Sequence, residues 1–238
     1  MEAVILAGGF GTRLQTVVKD VPKPMADVNG RPFLCYVLDF LTDFGVNRLI
    51  LSTGYKKEQI LEYFGGAYKG AEIVYSPEDT PLGTGGAIKQ AFTHCDGDNV
   101  FVLNGDTFFG CDLTELLDTH KKNNADITLA LKTMYDFDRY GHVVTQNGRV
   151  TAFNEKQFVK EGCINGGIYV IRKNIFDRIE MPAVFSFETD LLMRYVNQLK
   201  ICSLISDSYF IDIGVPSDYA EAQTHFKKIS GQKNRMDK

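Results

Sequence analysis

The chain opens with an apolar run that ends in closely spaced glycines, and this feature constrains its fold more than any other. Residues Glu2 to Ala7 have the length and composition of a buried parallel strand. The next residues read Gly8-Gly9-Phe10-Gly11-Thr12-Arg13-Leu14. Glycine lets the backbone turn sharply and approach a ligand closely, and exposed amides at such a turn form a concavity that suits phosphate. We therefore expect an α/β protein with an anion site at the end of its first strand.

Two positive side chains lie in or shortly after this turn and are candidates for contacting a phosphate. Arg13 carries a planar fork that matches phosphate oxygens, and Lys23 carries a point charge. Pro22 and Pro24 restrict the backbone around Lys23. No Gly-Lys-Ser/Thr follows, and Leu14 replaces the third glycine of the dinucleotide fingerprint, so neither a Walker loop nor a dinucleotide site is indicated. The alternative interpretation is a tight turn with a surface arginine.

The size and charge of the chain argue against several classes of function. With 238 residues, of which 44% are hydrophobic, it can bury the core of one large domain, which we place at residues 1–230, followed by a polar tail at 231–238. No apolar run approaches the roughly 18 residues of a membrane span, and no signal segment precedes the first strand, which favours a cytoplasmic protein. A net charge of −4 without a basic stripe argues against a nucleic-acid polymer as partner.

Cysteine and histidine spacing argues against a disulfide framework or a zinc site. The five cysteines are odd in number and scattered without a Cys-x-x-Cys pair, and the four histidines have no metal-ligand spacing. We expect buried free thiols in a reduced compartment. The cysteines are Cys35, Cys95, Cys111, Cys163 and Cys202.

Helical and strand patterns alternate through the first half of the chain. Phe33 to Phe44 carry an apolar helical stripe that Gly45 ends, and Asn99 to Leu103 form an apolar strand that leads into Asn104-Gly105-Asp106. Between them, strands are predicted at 48–53 and 72–75 and helices at 56–64 and 84–94. This alternation predicts a doubly wound, mostly parallel, Rossmann-like sheet with helices on both faces.

In the second half of the chain, strands no longer alternate regularly with helices. Residues 126–133 alternate like a strand with one solvated face, and Asn147-Gly148 is the preferred two-residue turn of a hairpin. The other predicted elements are strands at 164–171, 201–205 and 209–213, the last returning to the sheet, and helices at 187–199 and 217–229. These patterns predict a small antiparallel portion in the second half of the chain.

The opening motif, Leu6-Ala7-Gly8-Gly9-x-Gly11-Thr12-Arg13-Leu14 with Pro22-Lys23-Pro24 downstream, resembles the signature of the sugar-1-phosphate nucleotidylyltransferases. These enzymes join a nucleoside triphosphate to a sugar phosphate and release pyrophosphate. The resemblance extends from Met1 to about Ile229. It implies a nucleotide site formed by Leu6, Ala7, Gly8, Gly9, Gly11, Thr12, Arg13, Lys23, Glu78, Gly83, Thr84, Asn104, Gly105 and Asp106.

Asp106 and Asp212 each end an apolar run, where burying an unpaired carboxylate costs free energy. In the family, matching carboxylates hold the catalytic magnesium, so the resemblance implies Mg²⁺ at this pair. The ion also has a physical reason, because both substrates are anions. Two unit charges about 4 Å apart repel by roughly 4 kcal/mol at an effective dielectric constant near 20, and Arg13 and Lys23 offset only part of that. The alternatives are a helix cap for Asp106 and a turn former for Asp212.

A second glycine-rich stretch, Ser76 to Ala87, resembles the family's base-recognition segment. Gly85-Gly86 would let a base lie close to the backbone. An ionised Glu78 only accepts hydrogen bonds, and guanine offers two adjacent donors on its Watson–Crick edge, whereas pyrimidines place an acceptor beside their donor. Glu78 therefore favours GTP as the nucleotide. The alternative is a solvated loop glutamate.

Three stretches resemble the family's sugar-phosphate site, which implies that the small antiparallel portion in the second half of the chain is sugar-binding. In Glu155-Lys156 the lysine would hold the sugar phosphate and the glutamate would accept hydrogen bonds from hydroxyls, although Gln157 stands where relatives have proline. Asn165-Gly166 resembles the strand that supplies an amide to the sugar, and Glu188 would reach a hydroxyl. The alternatives are surface charge for Glu155-Lys156 and a helix N-terminus at Thr189-Asp190.

The resemblance implies an in-line transfer, in which a sugar-phosphate oxygen attacks the α-phosphorus of the nucleoside triphosphate and pyrophosphate leaves. A phosphate monoester is mostly dianionic at neutral pH, so no general base is needed. Arg13 would stabilise the pyrophosphate, Lys23 the α-phosphate, and Asp106 would join Asp212 in holding Mg²⁺ between the phosphates. Arg13, Lys23 and Asp106 are therefore the catalytic candidates.

Among subfamilies, the short length, Glu78 and the Phe-Ser-Phe-Glu-Thr-Asp segment at 185–190 most resemble the bacterial D-glycero-D-manno-heptose 1-phosphate guanylyltransferases. This implies synthesis of GDP-heptose for a surface polysaccharide. Mannose-1-phosphate guanylyltransferase and a pyrimidine-transferring relative are open alternatives. The presence of both metal carboxylates disfavours a non-catalytic nucleotide sensor, and the missing third glycine disfavours a dinucleotide-dependent oxidoreductase. The hairpin region is a candidate homodimer surface.

Overall fold

The computed structural model describes residues 1–9, 14, 18 and 20–236, with only the backbone described from 229 to 236. Its strands are β1 (Glu2–Leu6), β2 (Asp27–Val28), β3 (Arg31–Pro32), β4 (Arg48–Thr53), β5 (Ala67–Tyr68), β6 (Ala71–Pro77), β7 (Asn99–Asn104), β8 (Thr107–Phe109), β9 (Ile127–Phe137), β10 (Gly141–Gln146), β11 (Arg149–Lys156), β12 (Val159–Arg172), β13 (Ile201–Ser206) and β14 (Phe210–Asp212). The helices are α1 (Phe33–Asp43), α2 (Lys57–Phe64), α3 (Gly83–Ala91), α4 (Leu113–Lys122), α5 (Ile175–Arg178) and α6 (Pro216–Met236), with 3-10 turns at Lys23–Met25 and Phe92–His94 and a π-helical segment at Phe187–Met193.

Ten of the described strands form one sheet in the order β10-β11-β13-β9-β12-β7-β1-β4-β6-β5. The first half of the chain supplies a parallel set, in which β1 pairs with β4 and β7, and β4 pairs with β6. The second half supplies the predicted antiparallel portion and joins the same sheet, because β12 pairs antiparallel with β7 and so covers an edge that would otherwise be open. The predicted α/β fold is confirmed, with a more mixed sheet than expected.

Both faces of the sheet are covered, as the nearly continuous apolar strands require. The side chains of β1 alternate between two cores. Ala3 and Ile5 join the cluster that contains residues of α1, α4 and α6, whereas Val4 joins the cluster that contains residues of α3, α5 and the π-helical segment. The N-terminal strand is therefore the centre of the molecule, and its carboxyl end lies where ligands bind in such sheets.

Several elements differ from the predicted ones. Residues 209–213 were expected to return to the main sheet, but β14 pairs instead with β8 in a separate two-stranded sheet. The last helix, α6, continues to Met236, past the predicted start of a polar tail at Gly231. The Asn147-Gly148 hairpin is confirmed, with φ angles of 53° and 74° that suit its two-residue turn. Among the described residues, no helix has both the length and the apolar composition needed to cross a membrane.

Candidate active site

A cavity of about 500 Å³ opens at the carboxyl ends of the parallel strands. It collects residues that follow β1, β4, β6 and β7, which is the position expected for a ligand site in an open α/β sheet. Its lining includes many of the predicted nucleotide residues, namely Leu6, Gly8, Gly9, Lys23, Glu78, Gly83, Thr84, Asn104 and Asp106.

Asp106 and Asp212 meet at one cation at the edge of this cavity. Strand β8 begins directly after Asp106, and it pairs antiparallel with β14 so that Thr107 lies opposite Asp212. Nζ of Lys23 lies 2.6 Å from Oδ2 of Asp106 and 3.0 Å from Oδ1 of Asp212. Since Lys23 is only 8% exposed, its ammonium group is held between the two carboxylates rather than in solvent. The two acids therefore lie within reach of a single positive ion.

Close backbone approach supports this arrangement. The amide of Gly214 donates to Oδ1 of Asp212 over 2.8 Å. A Cβ on Gly214 would lie 2.9 Å from that oxygen and 3.0 Å from Nζ of Lys23, so a side chain at this position would crowd the ion pair. The amide of Ile213 donates to the carbonyl of Asp106 over 3.1 Å, which ties the two acidic segments together.

Glu78 follows β6 and lies half-buried in the wall of the cavity. The Ser52 hydroxyl donates to its Oε1 over 3.2 Å, and the amide of Leu82 donates to its Oε2 over 3.0 Å. A Cβ on Gly8 would lie 2.7 Å from Oε1 of Glu78. The carboxylate is therefore fixed in place, and Gly8 makes room for it.

The glycines at the start of α3 have a different role from the expected one. Gly83, with a φ of +69°, and Thr84 line the cavity. Gly85 and Gly86 are buried, and a Cβ on them would collide with the Phe185 ring and the carbonyl of Ala183. Their close approach is therefore to the 183–185 segment and not to the cavity.

A smaller cavity of about 200 Å³ contains three of the predicted sugar residues, Lys156, Asn165 and Glu188. Nδ2 of Asn165 donates to Oε1 of Glu188 over 3.0 Å and to the Tyr169 hydroxyl over 2.6 Å. Asn165 lies at the point where the pairing of β12 with β9 shifts register. The structure thus brings these side chains of the predicted sugar site together.

Glu188 lies in the π-helical segment, a geometry that is rare and often functional. Although its side chain is partly exposed to solvent, desolvation by the surrounding protein raises its pKa above the ordinary value. The hydrogen bond from Asn165 and the positive charge of Lys156 act in the opposite direction. The site therefore holds a carboxylate that is more easily protonated than a solvated glutamate.

Some predicted residues do not line either cavity. Glu155 is exposed and stands unpaired at a bulge between β10 and β11, so the structure does not place it beside Lys156 in the smaller cavity. Gly166 packs its backbone against Phe109. Ala7 is buried and donates its amide to the carbonyl of Ser52 over 2.8 Å, and the amide of Gly105 donates to the carbonyl of Leu6 over 2.9 Å. Gly11, Thr12 and Arg13 lie outside the described residues.

Sequence reasoning missed Ser52, whose hydroxyl contacts Glu78. A signal was present, because Ser52 is a polar residue that follows the apolar run Leu49 to Leu51 near the carboxyl end of a predicted strand. The same reasoning selected Asp106.

Comparisons with known proteins found matches over most of the chain. The family model described as Nucleotidyl transferase matches residues 2–229. The chain is 51% identical over 223 residues to the D-glycero-alpha-D-manno-heptose 1-phosphate guanylyltransferase of Aneurinibacillus thermoaerophilus, covering 94% of this chain and 97% of that protein. It is 50% identical over 220 residues to the enzyme of the same name from Campylobacter jejuni, covering 92% and 97%.

The fold is also similar to a solved structure. HddC from Yersinia pseudotuberculosis complexed with GMP-PN superposes with a TM-score of 0.84 at 35% identity, covering 94% of this chain and 99% of that chain. The resemblance inferred from the opening motif is confirmed by the family match. The chain belongs to the nucleotidyl transferase family.

Proposed function

We propose that this chain is a guanylyltransferase that joins GTP and D-glycero-α-D-manno-heptose 1-phosphate to give GDP-heptose and pyrophosphate. The observation that carries the proposal is the meeting of Asp106, Asp212 and Lys23 beside a glycine-lined cavity. The names of two relatives, each at least half identical to this chain, support the choice of nucleotide and sugar. The product would serve synthesis of a surface polysaccharide such as a capsule or lipopolysaccharide, in the cytoplasm.

The reaction needs alignment and charge neutralisation more than proton transfer. A sugar-phosphate oxygen forms a bond to the α-phosphorus of GTP, the bond from that phosphorus to the bridging oxygen breaks, and pyrophosphate leaves with the electron pair. The attacking phosphate is mostly dianionic at neutral pH and needs no general base. Lys23, at the edge of the cavity, would bind the α-phosphate, and Arg13 would bind the departing pyrophosphate.

Asp106 and Asp212 fit a divalent ion such as Mg²⁺. Both carboxylates already contact one cation, the Lys23 ammonium group, and Mg²⁺ prefers oxygen ligands. In the described part of the chain no group of three or more His, Cys, Asp or Glu residues could hold a metal, so phosphate oxygens and water would complete the coordination. When bound, the ion supplies neutralising charge where the two phosphates meet.

Glu78 would select the base and the smaller cavity would select the sugar. Each Glu78 oxygen already accepts one hydrogen bond from the protein and has capacity for another, which matches the two adjacent donors of guanine. Lys156 would hold the sugar phosphate, and Glu188, with Asn165 beside it, would accept a hydrogen bond from a sugar hydroxyl.

The experiment is a matrix of nucleoside triphosphates and sugar 1-phosphates with pyrophosphate release as the readout. We expect turnover with GTP and heptose 1-phosphate, and weaker turnover with mannose 1-phosphate. Asp106→Asn and Asp212→Asn should each reduce turnover by at least about 100-fold, whereas Asp118→Asn, an exposed acid on α4, should not. Turnover with dTTP or CTP but not with GTP would overturn the base assignment.

A further inference from the structure

We propose that Ser52 is a positioning residue for base selection, acting through the carboxylate of Glu78. Together with the amide of Leu82 and the space left by Gly8, Ser52 fixes the position of that carboxylate. This inference rests on the proposed guanylyl transfer, and it assigns to Ser52 and Gly8 a role in reading the base rather than in binding phosphate.

Ser52 is well placed to hold another side chain. It is 0% exposed and lies within the parallel set, with Leu6 of β1 on one side and Ser76 of β6 on the other. Its carbonyl accepts the amide of Ala7 over 2.8 Å, so its backbone is fixed. Its hydroxyl donates to Oε1 of Glu78. Because this hydroxyl is buried, water cannot replace Glu78 as its hydrogen-bond acceptor.

Glu78 is constrained at both its backbone and its side chain. Its amide donates to the carbonyl of Thr53 over 2.7 Å, and Leu82 fixes the second carboxylate oxygen. With one bond to each oxygen, the plane of the carboxylate is set before a ligand arrives. A preorganised acceptor pair loses less conformational freedom on binding than a free side chain, so more of the hydrogen-bond energy contributes to affinity.

Gly8 leaves the space that the Glu78 carboxylate occupies. A Cβ at this position would lie 2.7 Å from Oε1 of Glu78, closer than side-chain carbons approach oxygens in proteins. A glycine at position 8 is therefore needed for a reason other than phosphate binding. A side chain there would displace Glu78 from the Ser52 hydroxyl.

Comparison of GTP with ITP tests this geometry, because hypoxanthine lacks the 2-amino group of guanine and keeps N1–H. We expect the wild-type protein to bind GTP about tenfold more tightly than ITP, the ratio that one such hydrogen bond produces. In Ser52→Ala the carboxylate loses one anchor, and the ratio should fall to about threefold or less. Dissociation constants from calorimetry and kcat/KM for both nucleotides are the measurements.

Ser203→Ala is the matched control, since Ser203 is also a buried serine but lies on β13, where its hydroxyl donates to the carbonyl of Gly148. It should keep the wild-type ratio. Gly8→Ala provides a second variant that displaces Glu78 without removing the hydroxyl, and it should also lower the ratio.

The outcomes separate the two hypotheses. A wild-type protein that turns over another nucleotide but not GTP overturns the proposed function itself. A wild-type protein that uses GTP and keeps its preference over ITP in Ser52→Ala overturns only the role of Ser52. Loss of the preference in Ser52→Ala and Gly8→Ala, with retention in Ser203→Ala, supports it.

Discussion

Nζ of Lys23 lies 2.6 Å from Oδ2 of Asp106, a residue 83 positions further along the chain. The same nitrogen contacts Asp212, so one ammonium group neutralises part of a pair of acids that would otherwise repel each other. This arrangement makes the site stable before any substrate binds, and it also makes its stability sensitive to the loss of one side chain.

Lys23→Met should lower the free energy of unfolding by about 2 kcal/mol, because it leaves Asp106 and Asp212 close together without their cation. Added Mg²⁺ should then stabilise the variant more than the wild type, since it can replace the missing charge. Urea unfolding with and without MgCl₂ measures both effects. Lys160→Met, at an exposed position, is the control. No stabilisation of Lys23→Met by Mg²⁺ would contradict the assignment of the two acids to a metal.

Glu188→Gln should raise KM for the sugar phosphate about tenfold and leave KM for GTP nearly unchanged, because an amide is a weaker acceptor than a carboxylate and Glu188 lies in the smaller cavity. The effect should depend on pH. The pKa of Glu188 is raised by desolvation, so protonation removes its charge at a higher pH than in a solvated glutamate.

The wild-type KM for the sugar phosphate should therefore rise as pH falls, and this part of the profile should be missing in Glu188→Gln. The phosphate of the substrate titrates in both proteins, so the difference between the two profiles isolates Glu188. Profiles that run parallel would exclude Glu188 from the sugar site.

His120 should make the protein less stable in mild acid. Its ring is buried, with Nδ1 3.0 Å from the Thr128 hydroxyl and Nε2 3.0 Å from Oδ1 of Asn99, and desolvation, together with the nearby positive charge of Arg172, lowers its pKa to about 4. The unfolded chain takes up this proton near pH 6.5, so the contribution of neutral His120 is complete above that pH and decreases as pH falls towards about 4.

The loss amounts to at most about 3 kcal/mol. Urea midpoints measured between pH 7 and 4.5 should fall more steeply for wild type than for His120→Gln, which cannot take up a proton. Equal slopes would show that other groups cause the acid sensitivity.

The cysteines should differ sharply in reactivity. Cys35, Cys95, Cys111 and Cys202 are buried, and burial raises the pKa of Cys95 and Cys111 to about 12, whereas Cys163 is only half-buried. A thiol reagent should label Cys163 slowly in the native protein and all five cysteines after unfolding. Cys163→Ser should abolish the native phase, and rapid labelling of several thiols in the folded protein would contradict the burial described above.

The sequence paired Asp106 with Asp212 correctly, because each follows an apolar run and the family resemblance places both at one metal, although β14 does not join the main sheet as expected. The means by which they meet could not be predicted. Strands β8 and β14 are three residues each, and such short segments carry too little pattern to specify a partner. The contacts of Lys23 with both acids depend on how β8 and β14 pair, so they could not be predicted from the sequence either.

The sequence shows where the glycines are, but it does not show which group approaches each of them. Gly83, Gly85 and Gly86 were expected to serve one ligand, yet Gly85 and Gly86 approach residues 183–185. Sequence alone shows that a side chain is missing and does not show what occupies the space. In the same way, the bulge that leaves Glu155 unpaired cannot be read from a Glu-Lys pair.

The pairing of β14 with β8 has a consequence for how the enzyme is made. Lys23 and Asp212 are 189 positions apart, so a nascent polypeptide on the ribosome can complete the parallel strands of its first half while the second acid has not yet been synthesised. The contact between Lys23 and Asp212 can therefore form only after the β14 segment has emerged, so the ion pair is completed late in synthesis.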